Sequence, residues 1–201
     1  MRIALALVAL LFAATMVCAT PRVPVPPKIR PYSGIGVLMV DTAGAGKTTE
    51  PYPLYDEPAI ARLGELDLAK VPACEWIFGT SGTSLPLIVM ARKGSWLRVV
   101  YDDAGREAWL DPRRPALYRP WELFLKGRSV RLLPGLQKRQ YQSFQHPGKG
   151  PTAVVTPNQS FRVIKLESDW ALVVSDRNTL GWLRWRDEDG RLLMGLANAR
   201  P

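Results

Sequence analysis

Histidine and cysteine are nearly missing: the 201 residues hold one histidine, His146, and two cysteines, Cys18 and Cys74. One histidine and two cysteines cannot make a four-ligand zinc site of nitrogen and sulfur without help from carboxylates. Cys–His catalysis needs a thiolate beside an oriented base. Cys74 sits in "VPACEWIF" and His146 in "FQHPGKGP", and neither has an elbow or an orienting carboxylate near it. A packed thiol and an exposed loop imidazole are the expectation. Asp187, Glu188 and Asp189 in "RDEDGRLL" lack the spaced ligand set and distal glutamate of a calcium loop, and read as a hairpin turn. Ser81, in "GTSGTSLP", lacks the flanks of a nucleophile elbow. No catalytic residue, metal or cofactor is expected.

Long apolar runs are also scarce. The first, Ile3–Met16, follows Met1-Arg2 and precedes Val17-Cys18-Ala19. That is the pattern of a secretory signal cut after Ala19, and the run is too short for a membrane span. A lipoprotein signal using Cys18 is the alternative, but Thr15-Met16-Val17 stands where that pattern wants a leucine and a final Ala or Gly. The chain is therefore expected outside the cytoplasmic membrane, in the periplasm or cell envelope. Loss of residues 1–19 removes one arginine and one cysteine, leaving 26 basic and 18 acidic side chains. Cys74 then has no intramolecular partner, and pairing between chains stays open. Residues 20–32 carry five prolines, the composition of a semi-rigid linker.

"VDTAGAGKTTEPYP" tests a nucleotide reading. A phosphate loop requires a glycine five residues before Gly46, where Asp41 stands, and a helix opening at the lysine. Pro51 and Pro53 stop such a helix. An exported chain also meets little ATP, so no nucleotide is expected and the segment reads as a glycine-rich turn after a strand.

From residue 33 to 195 the chain reads as short strands separated by Gly, Pro, Asp and Asn: "IGVLMV", "LPLIVMA", "SWLRVVYD", "EAWL", "WELFLK", "SVRLL", "FRVIKLE", "DWALVVS", "GWLRW" and "GRLLM". A short helix is allowed over 59–68. "LIVMARKGSWLRVVYD" superposes on "RVIKLESDWALVVSD" with an offset of 74, which sets Trp96 on Trp170; Trp109 then falls on Trp182 after a one-residue change. These four tryptophans are expected to be structural anchors, with Trp96 and Trp170 in the core.

A hydrophobic strand, a turn, W-x-x-V, a polar hairpin and G-W resembles the closing half of the bacterial SH3-like domain; "DWALVVSDRNTLGWL" fits well, and the first copy has Ala108 in place of the glycine. The opening signature of that family is lacking, with "YPLYDEPA" and "VRLLPGLQ" in its place. The resemblance implies an all-β chain of two SH3-like barrels in tandem, residues 33–117 and 118–195, with a tail at 196–201. It also implies a non-catalytic envelope protein that binds cell-wall peptide or glycan. A protein-binding adaptor or inhibitor, and an accessory to a cell-wall hydrolase, are the other readings.

Charge refines this. Residues 113–150 hold nine Arg or Lys and one acid, Glu122, with five aromatics between them. In a cytoplasmic chain this mixture would suggest nucleic acid; in the envelope the same field attracts wall carboxylates and anionic polymers. Arg128, Arg131, Lys138 and Arg139 are the expected ligand-binding cations, with Tyr141 as an aromatic wall.

Overall fold

The computed structural model describes residues 29–41, 51–72, 74–79, 84–112 and 117–198. The expected signal segment, the linker through residue 28, GAGKTT, Ser81, Arg113, Arg114 and residues 199–201 lie outside them.

Two seven-stranded antiparallel sheets account for most of the described chain. The first contains β1 (Gly36–Asp41), β2 (Pro53–Glu57), β3 (Ile60–Glu65), β4 (Ser84–Lys93), β5 (Trp96–Val100), β6 (Glu107–Leu110) and β7 (Tyr118–Pro120). The second contains β8 (Ser129–Leu132), β9 (Gln142–His146), β10 (Lys149–Val154), β11 (Phe161–Glu167), β12 (Trp170–Ser175), β13 (Leu180–Arg184) and β14 (Met194–Leu196). Their hydrogen-bonded orders, β3-β2-β6-β5-β4-β1-β7 and β10-β9-β13-β12-β11-β8-β14, are the same order written twice. Each runs from edge to edge, so neither sheet closes into the barrel expected from the sequence.

The internal repeat extends to register. Val89 pairs with Val99 and Lys93 with Trp96, as Val163 pairs with Val173 and Glu167 with Trp170. Both ladders carry a bulge at the same place, between Val89 and Ala91 and between Val163 and Lys165. Arg98 faces Trp109 as Leu172 faces Trp182. The repeat also reaches two hairpins that were not expected, β2–β3 and β9–β10, where Tyr55 pairs with Arg62 and Phe144 with Pro151. This corrects the match of "YPLYDEPA" to "VRLLPGLQ". The former is the counterpart of "YQSFQHPG", and the latter begins in β8, which repeats β1.

Two expectations of local structure fail for identifiable reasons. "WELFLK" forms not a strand but the helix α2 (Trp121–Leu125), in which Trp121, Phe124 and Leu125 are buried while Glu122 and Leu123 are exposed. That spacing of one, four and five is helical, and a five-residue segment is too short to show it against strand alternation. Residues 59–68 hold no helix: β3 runs through them with every residue exposed, and Ala59, Ala61 and Gly64 have positive φ. A right-handed helix is excluded by those angles.

Side-chain burial explains why β1 and β4 are continuous apolar runs. Leu38, Val40, Leu87 and Val89 enter the core of the first sheet. Their neighbours Val37 and Ile88 enter a second core built chiefly by the second sheet. Strands buried on both faces lose the alternation of a half-exposed strand. Into that same second core go Ile77 and Phe78 of α1 (Glu75–Phe78) and the buried side of α2. The second core is thus shared by the two sheets, with an aromatic cluster of Phe78, Trp121, Phe124 and Trp185 at their junction. Among the described residues no helix is long and apolar enough to cross a membrane.

Candidate functional site

Pleating sends alternate residues to opposite faces. Leu97 and Val99 point into the first core, so Trp96, Arg98 and Val100 lie on the outer face. Ala171 and Val173 point inward in the second sheet, leaving Trp170, Leu172 and Val174 outside. Each outer face carries an edge-to-face aromatic pair: Tyr55 with Trp96 at 5.3 Å, and Phe144 with Trp170 at 5.0 Å between ring centres.

Trp109 and Trp182 are buried beneath cations, with the Arg98 guanidinium 5.8 Å from one ring and the Lys165 ammonium 5.1 Å from the other. Trp96 and Trp170 are half-exposed instead of core residues. Size and spacing marked all four as anchors, but which pleat faces inward is decided by the neighbours at Leu97 and Ala171.

The two faces differ in one respect. In the first, Arg98 and Glu107 form an ion pair of 2.9 Å. In the second, the same ladder positions hold Leu172 and Leu180, and Leu180 is 62% exposed.

Beside Phe144 and Trp170 lies a cleft of about 430 Å³. Its walls include Gln137, Gln140 and Gln142 from the segment entering β9, and Arg30, Arg139 and Arg184. Opposite them stand Asp187, Glu188 and Asp189, which form the hairpin turn expected from the sequence: the Gly190 amide donates to the Asp187 carbonyl at 3.0 Å. Arg30 pairs with Asp187 at 2.8 Å and Arg184 with Glu188 at 3.1 Å, and Arg184 also lies 5.0 Å from the Trp170 ring centre. Three guanidinium groups and three carboxylates leave the lining with no formal net charge.

Of the five ligand-binding residues expected from sequence, Arg139 alone lines this cleft. Lys138 is exposed beside it in a single 3-10 turn, Lys138–Gln140. Arg128 is stacked over Phe124 of α2 at 4.2 Å, and burial, then the charge of Arg119, pushes its pKa below the usual guanidinium value. Arg131 is buried within β8. The Tyr141 hydroxyl donates to the Leu133 carbonyl at 2.6 Å and accepts from the Leu136 amide at 3.1 Å, which fixes the loop after β8. Phe144, Gln142 and Arg184 were missed. The signal that could have found them is the β2–β3 counterpart of β9–β10, but the two segments share little beyond Tyr52/Tyr141, Pro58/Pro147 and an aromatic at Tyr55/Phe144.

The catalytic candidates stay apart. His146 is exposed at the end of β9. Cys74 caps α1 and lines a second, largely apolar cleft of about 610 Å³ with Trp76, Phe78, Ile88 and Met90. His146 is not among the residues lining that cleft. Burial, reinforced by the Asp103 charge, raises the Cys74 thiol to about 11. Among the described residues no three His, Cys, Asp or Glu side chains are grouped to hold a metal ion.

Compared with known proteins, the chain matches no family model, no curated protein and no solved structure.

Proposed function

We propose that this is a non-catalytic, exported envelope protein made of two SH3-like units in tandem, and that it binds cell-wall peptide or glycan. The observation that carries the reading is the duplicated outer face, an aromatic pair and a cation-covered tryptophan at the same register positions in both sheets. Half-exposed aromatics beside polar groups are suited to ligands with both apolar and polar faces. Export rests on the Met1–Ala19 signal pattern, and the excess of arginine and lysine in residues 113–150 supplies a long-range pull toward the anionic wall.

The test is sedimentation of the intact protein with purified wall material. Binding is expected to weaken clearly as salt rises, because exposed charges act over about 10 Å at moderate ionic strength. Reversing Lys138 and Arg139 to Glu should weaken it without changing Tm, and the same reversal at Arg92 and Lys93 should leave it unchanged. A second reading, a protein-binding adaptor, is favoured by the exposed Leu180 next to Leu172 and Trp182. Binding to an envelope protein with no retention by wall material would put that reading first.

A further inference from the structure

The cleft beside Phe144 and Trp170 says more about its ligand than the outer faces alone. Its lining has no net charge, so it gives a polyanion no local preference. It is too polar for a lipid chain, since Phe144, Trp170 and Leu193 are its apolar members. What remains is a half-exposed indole flanked by amide, guanidinium and carboxylate groups. Such planar polar groups each offer two donors, two acceptors or one of each, which matches adjacent hydroxyls on a sugar ring, while the ring's C–H face covers an aromatic surface. Among the described residues, Arg139, Gln142 and Asp189 have no side-chain hydrogen bond or ion pair to another residue, so their groups are available to a ligand. A volume of about 430 Å³ suits one or two sugar rings.

We propose that this cleft is a saccharide-binding site, with the Trp170 ring face that Arg184 leaves uncovered as the stacking surface and Arg139, Gln142 and Asp189 as hydroxyl partners. The proposal rests on the wall-binding reading above and chooses the glycan over the peptide. It concerns the second unit alone, and the first unit is assigned no saccharide.

The experiment titrates the intact protein with chitotetraose, a neutral oligosaccharide, and in parallel with a sugar-free tetrapeptide bearing a free amine and carboxylate. Binding is read from the tryptophan indole N–H resonances. Chitotetraose should move the Trp170 indole, independently of salt. Trp170→Ala and Arg139→Ala should each weaken binding at least about tenfold, the scale of losing one well-placed aromatic or charged contact. Trp96→Ala should leave it unchanged. Arg139 is exposed and makes no side-chain hydrogen bond or ion pair, so its variant tests the site even if Trp170→Ala folds poorly. If the wall and the peptide bind but chitotetraose does not, the saccharide assignment falls and the wall-binding reading stands. If chitotetraose binds but ignores both substitutions, the cleft is the wrong place. If neither wall nor chitotetraose binds, both readings fall.

Discussion

Trp182 is 9% exposed beneath the Lys165 ammonium, whereas Trp170 is half-exposed, with Arg184 over its face and the Phe144 ring at its edge. Truncating a large buried aromatic costs about 3–5 kcal/mol, and the cost falls with the area already in water. Chemical denaturation should therefore rank Trp182→Ala and Trp109→Ala as severe, with Trp170→Ala and Trp96→Ala clearly milder. Equal losses at Trp170 and Trp182 would contradict the outer-face placement. Cys74 gives the pH-dependent counterpart. Its folded pKa, raised to about 11 by burial, exceeds the unfolded thiol value of about 8.5. The thiol's contribution to stability is accordingly complete below about 8.5 and is lost as pH rises through about 11. Alkylation of the folded protein should be slow at pH 8 and still accelerating near pH 11. A rate that levelled off near pH 9 would show an unshifted thiol.

The hairpins β2–β3 and β9–β10 turn through Pro58-Ala59 and Pro147-Gly148, with φ of 62° at Ala59 and 72° at Gly148. Proline followed by a residue of positive φ is the pattern of a type II turn, which glycine satisfies and alanine resists. Ala59→Gly should be neutral or stabilising by up to about 1 kcal/mol, and Gly148→Ala destabilising by about the same. Thermal melts of the two variants check this, and a destabilising Ala59→Gly or a stabilising Gly148→Ala would refute the shared turn. Strands with two buried faces or a tryptophan at a fixed place, such as β4, β5, β11 and β12, were legible in the sequence because packing imposes a pattern on every residue. Exposed edge strands such as β3 are held by backbone hydrogen bonds and turn angles, which leave almost no side-chain pattern. The cleft was half legible for the same reason. Arg139 stood out through charge, while Gln142 and Phe144 sit on one of those inconspicuous hairpins. Arg131, equally prominent by charge, belongs to a strand whose outward and inward positions the charge pattern could not distinguish.

At the scale of the molecule, the segment before β1 is held by the end of the second sheet. The Arg30 guanidinium pairs with Asp187 at 2.8 Å, Arg191 donates to the Arg30 carbonyl at 2.7 Å, and the Leu192 and Ser33 amides bond to Pro31 and Gly190 carbonyls. The Trp121 indole then donates to the Ser33 carbonyl at 2.6 Å inside the shared core. On the other side, α1 lies so close to β14 that a Cβ on Gly195 would sit 2.9 Å from the Ile77 Cα. The core of the second sheet takes in Val37, Ile77, Phe78 and Ile88 from the first half of the chain, so the repeats should not unfold one at a time. Unfolding by denaturant, followed by tryptophan fluorescence and by far-ultraviolet dichroism, should give coincident single transitions, the mark of a cooperative unit. Asp187→Ala removes the Arg30 ion pair and the acceptor of the Arg191 amide, held at 2.8 Å. Losing hydrogen bonds to a charged group costs about 1.5–3 kcal/mol, so the midpoint should fall while the transition stays single. Two resolved transitions, with Asp187→Ala moving only the second, would show instead that the sheets fold independently and that the clasp merely joins them.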